Sequence, residues 1–291
     1  MRKIKKAVFP VGGFGTRFLP ITKSIPKEMF PFIDKPIIHY AVEEAIKSGI
    51  EEFIFVVGAG KDAIKNYFSI NKNLEEHLRN NEKFELLEVL TNGLPNPECV
   101  KFVFQESPLG LGHAIWCTRE LFSENEFFAI VLPDDVILGP EPCLKELVSI
   151  YENHSCNVIS VMEVEKQNVS KYGILDFHER KGNFYKVTNI IEKPNQDNAP
   201  SNIAVVGRYI LSSKIFNYLS LQKKGKNSEI QITDSITGLL SEQAVLGVKF
   251  SGKRYDCGDR RGYIEAFLDK AISEDSNLLP YLRNIINSKM N

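Results

Sequence analysis

The first sixty residues alternate between two kinds of apolar segment, and this constrains the fold more than any other feature. Residues 7–11 are a short, wholly apolar run that gives way to glycines. Residues 35–48 then carry Ile37, Ile38, Ala41, Val42, Ala45 and Ile46 at the spacing of one helical face. Asp34 is placed to cap that helix, Pro36 falls in its first turn and Gly49 is placed to stop it. Residues 53–57 are a second continuous apolar run, closed by Gly58. Continuous apolar strands separated by an amphipathic helix predict parallel strands in a sheet covered on both faces.

The alternation runs on, with strands expected at 100–104, 127–132 and 158–164 and helices at 111–121 and 143–151. From about residue 170 the segments shorten, to strands at 173–177, 184–191 and 203–211. A helix at 231–242, a strand at 244–250 and a helical stretch at 262–288, interrupted near Pro280, complete the chain. Residues 71–98, rich in Asn, Glu and Lys, read as a surface insertion of short helices. No Gly/Ser/Pro-rich linker and no internal repeat divides the sequence. The expectation is one α/β domain over residues 1–291: a Rossmann-like mixed, mainly parallel central sheet flanked by helices, with a small additional β region.

Charge and composition narrow the function. The 36 Lys+Arg residues against 37 Asp+Glu give a net charge of -1, which argues against an electrostatic nucleic-acid binder. No apolar run reaches the ~18 residues that a membrane span needs. The basic start, Met1 to Lys6, is like that of a signal peptide. The apolar stretch after it breaks at Gly12-Gly13 without a small-residue cleavage site, so it reads as mature protein. The five cysteines, Cys99, Cys117, Cys143, Cys156 and Cys257, are odd in number and scattered, with no Cys-x-x-Cys. Neither a zinc ribbon nor a disulfide framework follows, and a reduced, cytoplasmic location is expected. No His-Glu-x-x-His occurs, so a metal is expected on carboxylate oxygen, which suits Mg²⁺.

The densest chemical signal is the loop Pro10-Val11-Gly12-Gly13-Phe14-Gly15-Thr16-Arg17-Phe18-Leu19-Pro20. Glycines directly after a strand let backbone N–H groups approach a phosphate. No Gly-Lys-[Ser/Thr] follows, so it is not a P-loop. Phe18 stands where a dinucleotide fingerprint needs its third glycine, and Asp34, before Lys35-Pro36, is a poor ribose ligand. On its own the loop reads equally well as a tight turn with an exposed arginine. Lys27, in Pro26-Lys27-Glu28-Met29, adds a second cation to the same connection. Such a concentration of cations and backbone donors is what phosphoryl or nucleotidyl transfer requires. Leu132-Pro133-Asp134-Asp135 ends an apolar strand, where ligands of α/β sheets bind; its carboxylates either hold a divalent metal or cap the next turn. Gln105, at the end of the third strand, has both a donor and an acceptor for a base edge, or is a plain polar strand end.

Gly-Thr-Arg-Phe-Leu-Pro, Pro-Lys-Glu-Met and Asp-Lys-Pro resemble motifs of the sugar-1-phosphate nucleotidylyltransferases. So do Gly110-Leu111-Gly112-His113-Ala114, Leu132-Pro133-Asp134-Asp135, Lys171-Tyr172-Gly173-Ile174 and Ile191-Glu192-Lys193-Pro194. Gly207-Arg208-Tyr209, Gln231-Ile232-Thr233-Asp234 and Tyr255-Asp256-Cys257-Gly258-Asp259 complete a series that follows the family's order over nearly the whole chain. The resemblance implies the nucleotidyltransferase fold, with a nucleotide half over about 1–165 and a sugar half plus C-terminal helices over about 166–291. It is strongest to the uridylyl branch, which implies transfer of UMP from UTP to α-D-glucose 1-phosphate, giving UDP-glucose and pyrophosphate. The attack would be in line, assisted by Mg²⁺ and without a covalent intermediate.

The same resemblance implies residue roles. Arg17, Lys27, Asp134 and Lys193 would be catalytic: Arg17 on the departing phosphates, Lys27 on the reacting ones, Lys193 on the sugar phosphate. Asp134 and Asp256 would hold Mg²⁺. Gly12, Gly13, Gly15 and Thr16 would cradle the nucleotide; Gln105 and Gly110 would meet the base, with Gly112 packing close by. Asp135 would support the metal or touch the sugar, Glu192 would bind glucose hydroxyls, and Gly173, Val206 and Gly207 would line the sugar pocket. His113 reads as a helix-start residue. Val11 departs from the family's usual Ala, which bears on the base pocket. A thymidylyl sister activity differs by one methyl on the base, worth only ~1–3 kcal/mol in a pocket; cytidylyl and adenylyl transfer are further sisters. A non-catalytic regulatory subunit would lose Arg17, Lys27 or a metal carboxylate, and all are present. A homodimer or homotetramer is implied, with no nucleic-acid or membrane partner.

Overall fold

A computed structural model describes residues 3–221 and 229–290, so Met1 and Arg2 of the basic start lie outside the described residues. The first half contains β1 (Lys6–Pro10), β2 (Pro31–Phe32), β3 (Lys35–Pro36), α1 (Ile37–Lys47), β4 (Glu52–Val57), α2 (Asp62–Tyr67), α3 (Lys72–Asn80), α4 (Phe84–Thr91), β5 (Val100–Phe104), α5 (Leu111–Trp116), β6 (Phe127–Val131), β7 (Asp135–Leu138) and α6 (Cys143–His154). The second half contains β8 (Asn157–Glu163), β9 (Gly173–Lys181), β10 (Phe184–Glu192), β11 (Ile203–Ser212), α7 (Ile215–Leu219), α8 (Ile232–Leu239), β12 (Val245–Lys249), β13 (Lys253–Asp256), α9 (Arg260–Glu274) and α10 (Leu278–Met290). Among the described residues no helix is long and apolar enough to cross a membrane.

Nine strands form one sheet in the order β5-β4-β1-β6-β11-β8-β12-β10-β9. Strands β5, β4, β1 and β6 run parallel, as does the pair β8–β12. Strand β11 is antiparallel to β6 and β8, and β10 is antiparallel to β12 and β9. The sheet is therefore mixed, and the expected predominance of parallel pairing is not found. A continuous apolar run reports covered faces rather than strand direction: all ten residues of β11 are buried, yet both of its main neighbours are antiparallel.

Successive residues of β1 point to opposite faces, as a strand requires. Ala7 and Phe9 join a core under α1 and α6, while Val8 joins a second core with Ile54, Ile130 and Ile159. Helix α1 buries Ile37, Ile38, Ala41, Val42 and Ala45, but Ile46 is exposed. Pro36, not Asp34, occupies the helix's N-terminal cap; the Asp34 carboxylate accepts from the Tyr40 hydroxyl at 3.0 Å. The break between α9 and α10 falls at residues 275–277, and Pro280 lies within the first turn of α10, where it costs no intrahelical bond. The strands expected at 173–177, 184–191, 203–211 and 244–250 all belong to the main sheet. The additional β structure is instead β2–β3 and the antiparallel ribbon β7–β13, whose register sets Asp135 opposite Asp256.

Candidate active site

The loop between β1 and β2 is fixed from several sides. Gly15 has φ +64°, a left-handed conformation that favours glycine, and its carbonyl accepts from Phe18 N–H and from the Thr22 hydroxyl, each at 2.9 Å. Phe18 is buried edge-on against Phe30 and Tyr263. From α9, Arg260 donates to the carbonyls of Arg17 (3.2 Å) and Leu19 (3.1 Å). Glu28 is 2% exposed and accepts from Lys61, itself 6% exposed, at 2.9 Å. Between these anchors Gly13, Thr16 and Arg17 are exposed, and among the described residues no ion pair is recorded for Arg17. Gly12 packs against Gly58 and the Gln105 side chain.

Lys27 reaches from this loop to the turn after β6, where its Nζ lies 2.5 Å from Asp134 Oδ2. Burial alone would raise the Asp134 pKa, but the Lys27 ammonium, helped by Arg254, holds the carboxyl below its usual range. Burial likewise disfavours the Lys27 ammonium, and Asp134, Glu28 and Asp256 outweigh it and raise its pKa. Asp256 comes to the same place from the end of β13: the next residue, Cys257, donates its N–H to the Asp134 carbonyl at 2.8 Å. A Cβ on Gly258 would lie 2.9 Å from both Asp134 Oδ2 and Asp256 Oδ1, so one oxygen of each carboxylate borders a single small space. Two hard oxygen donors suit a divalent cation that completes its shell with phosphate and water. Among the described residues no group of three or more His, Cys, Asp or Glu side chains is placed to hold a metal.

Asp135, expected to support the metal or touch the sugar, is held by the protein itself. It is 6% exposed; Oδ1 accepts from Arg254 Nε (2.9 Å) and Nη2, and Oδ2 accepts from Gly207 N–H at 2.9 Å. Both oxygens are engaged inside the protein. Gly207 is glycine for the same reason, since a Cβ there would stand 2.6 Å from Asp135 Oδ2. The Val206 side chain is 3% exposed within the core and its carbonyl accepts from Ser160, which leaves its backbone N–H as the group it could offer a ligand.

Gly173 and Glu192 face each other across the β9–β10 pair. Glu192 Oε2 accepts from the Thr233 hydroxyl at 2.9 Å, and Lys193 Nζ lies 3.1 Å from Glu192 Oε1. Lys193 has φ +47°, uncommon for a residue with a side chain and found where surrounding structure imposes it. Its N–H donates to the Tyr172 carbonyl at 2.9 Å.

Gln105 is 7% exposed, with Nε2 3.3 Å from the Gly110 carbonyl and 3.0 Å from His113 Nδ1. His113 is therefore more than the helix-start residue expected, because it fixes the Gln105 amide. Gly110 (φ +101°) and Gly112, expected to let the chain pack close to the base, are also closely approached by residues 229–230. A Cβ on Gly110 would meet Ile230 O at 3.0 Å and one on Gly112 would meet it at 2.7 Å.

Sequence reasoning passed over Arg254, Tyr172, Thr233, Lys61 and Arg260. Tyr172 and Thr233 stood inside motifs already singled out, and Arg254 directly precedes one of them. The signal was present, but Lys253-Arg254 looks like any solvated basic pair until β13 turns Arg254 inward.

A cation-rich loop after the first strand, opposed by carboxylates from two distant segments, is the arrangement that nucleotidyl transfer requires. The sequence profile of the nucleotidyl transferase family matches residues 6–272, and the chain belongs to that family. It is 41% identical to the UTP–glucose-1-phosphate uridylyltransferase of Bacillus subtilis over 99% of both chains. Among solved structures it superimposes on a UTP-bound UGPase from Acinetobacter baumannii with TM-score 0.87, at 38% identity over 97% of this chain and 99% of that one. It is also similar to a UDP-glucose pyrophosphorylase complexed with UDP-glucose, with TM-score 0.82 and 42% identity over 93% of this chain and 99% of that one.

Proposed function

We propose that the chain transfers UMP from UTP to α-D-glucose 1-phosphate, releasing pyrophosphate and forming UDP-glucose. The observation that carries this reading is the meeting of Lys27, Asp134 and Asp256 at one point of the cleft, in a chain whose near-full-length relatives bear that activity in their names. The sugar phosphate is an anion at neutral pH and attacks the α-phosphorus directly, so no general base and no covalent intermediate is invoked. Arg17 steadies the departing phosphates, Lys27 offsets charge at the reacting ones, and the loop of Gly12, Gly13, Gly15 and Thr16 orients the triphosphate. Glu192 and Gly173 orient the glucose, and Lys193 holds its phosphate. Gln105 and Gly110 bound the base pocket. The family's enzymes generally use a divalent metal; we take it to be Mg²⁺, held by Asp134 and Asp256, where it would offset phosphate charge.

The chain is read as one working domain, with the nucleotide half over about 1–165 and the sugar half over the remainder. A cytoplasmic homodimer or homotetramer is the state we propose. The test is pyrophosphate release with glucose 1-phosphate and Mg²⁺, comparing UTP with dTTP, CTP, ATP and GTP. Release dominated by UTP supports the reading. Release dominated by dTTP overturns the base assignment, and silence with every nucleotide from protein that still binds UTP favours a regulatory role.

A further inference from the structure

Resting on that reading of the cleft, we propose that Arg254 is a positioning residue that fixes the sugar side of the cleft to its carboxylate side through Tyr172. Arg254 lies on β13, outside the main sheet, with its side chain 10% exposed. Its guanidinium faces three ways. Nε and Nη2 donate to Asp135, Nη2 also lies 3.7 Å from Asp256 Oδ2, and Nη1 donates to the Tyr172 hydroxyl oxygen at 3.2 Å. The cation also stands 5.5 Å from the centre of the Tyr172 ring. Only a planar fork serves these directions together, and a lysine ammonium cannot.

Tyr172 is the other end of the connection. Its carbonyl receives the N–H of Lys193, the residue in the left-handed conformation, and the next residue is Gly173, paired with Glu192. The Arg254–Tyr172 bond thus adds a side-chain tie to the β9–β10 pairing and the Thr233–Glu192 bond at Gly173, Glu192 and Lys193. Asp135 adds a parallel strap through the Gly207 N–H on β11. The nucleotide loop has its own anchors in Thr22, Arg260 and the Glu28–Lys61 pair, none of which touches Tyr172. Loosening the Arg254–Tyr172 bond should therefore reach the sugar and leave the nucleotide alone.

The test is Tyr172→Phe, which keeps the ring and deletes only the hydroxyl. KM for glucose 1-phosphate is expected to rise roughly three- to tenfold, the effect of losing one hydrogen bond to a charged group at one remove. KM for UTP should stay within about twofold. Calorimetric titration should show UDP-glucose affinity falling by a similar factor while UTP affinity holds. Arg254→Lys should raise the glucose 1-phosphate KM at least as far, and the double variant should be no worse than Arg254→Lys alone, because both remove the same bond. The proposal is overturned if Tyr172→Phe leaves the sugar KM within twofold, if it shifts both substrates alike, or if the two changes multiply. Wild-type protein that does not turn over UTP and glucose 1-phosphate would instead overturn the functional reading on which it rests.

Discussion

Lys27 meets two demands at once: it is partly withdrawn from water, and its charge is held by a carboxylate 2.5 Å away. Lys27→Ala should lower kcat by about 100-fold or more, near 3 kcal/mol of transition-state stabilisation, with the fold intact by circular dichroism; near-normal turnover would remove Lys27 from the mechanism. Gly110→Ala, at φ +101° and facing Ile230, should lower unfolding stability by about 1–3 kcal/mol in urea titration. His39 is buried on α1, with Nδ1 2.8 Å from the Tyr67 hydroxyl and Nε2 3.5 Å from Glu43. Burial pushes its pKa below the ordinary 6.5, against the pull of Glu43. As pH falls through 6.5 the unfolded chain takes up the proton first, so stability should fall there. The drop in Tm between pH 7.5 and 5.5 should be smaller in His39→Gln, and an unchanged drop would assign it to other groups. Lys27, Asp134 and Asp256 each stand in a short motif that marks them as candidates in the sequence, and the fold brings them together. Arg254 lies outside any such motif, and the bonds that join it to Asp135 and Tyr172 form only once β13 pairs with β7.

At the scale of elements, α1 is joined to β11 by one buried ion pair. Arg208, 1% exposed, places Nε and Nη2 on the two oxygens of Glu44 at 3.0 and 2.7 Å, and Glu44 also accepts the Leu144 N–H. Nη1 of Arg208 donates to the carbonyls of Leu132 and Gly207, beside Asp134 and Asp135. Glu44→Gln leaves a buried guanidinium without its counter-charge and should cost about 3–5 kcal/mol in chemical denaturation. A loss below about 1 kcal/mol would show that water or another carboxylate replaces Glu44. The longer elements were readable because burial repeats along them, as in α1, β4 and β6. The ribbon β7–β13 was not: each strand has four residues, and Val136-Ile137-Leu138 alone does not name its partner. That ribbon sets Asp135 opposite Asp256, so the part of the site it builds was hidden along with it.

Over the whole molecule, two cores lie on either side of one nine-stranded sheet, and β11 at its centre contributes residues to both. Every strand of the sheet but β9 places side chains in or against both cores, so differential scanning calorimetry should show a single transition with calorimetric and van't Hoff enthalpies in agreement. Two resolved transitions would mean that the halves unfold separately. Strand direction was the one global property that the apolar pattern could not carry, since a strand covered on both faces looks the same whichever way its neighbours run. Chain segments remote in sequence meet at the nucleotide loop, which is bonded to Arg260, Lys61 and Asp134 before any substrate arrives. A loop left free would have to give up backbone entropy at each round of binding, at about 1–2 kcal/mol per residue fixed. Here that ordering is completed once, when the chain folds, and is not repeated with every turnover.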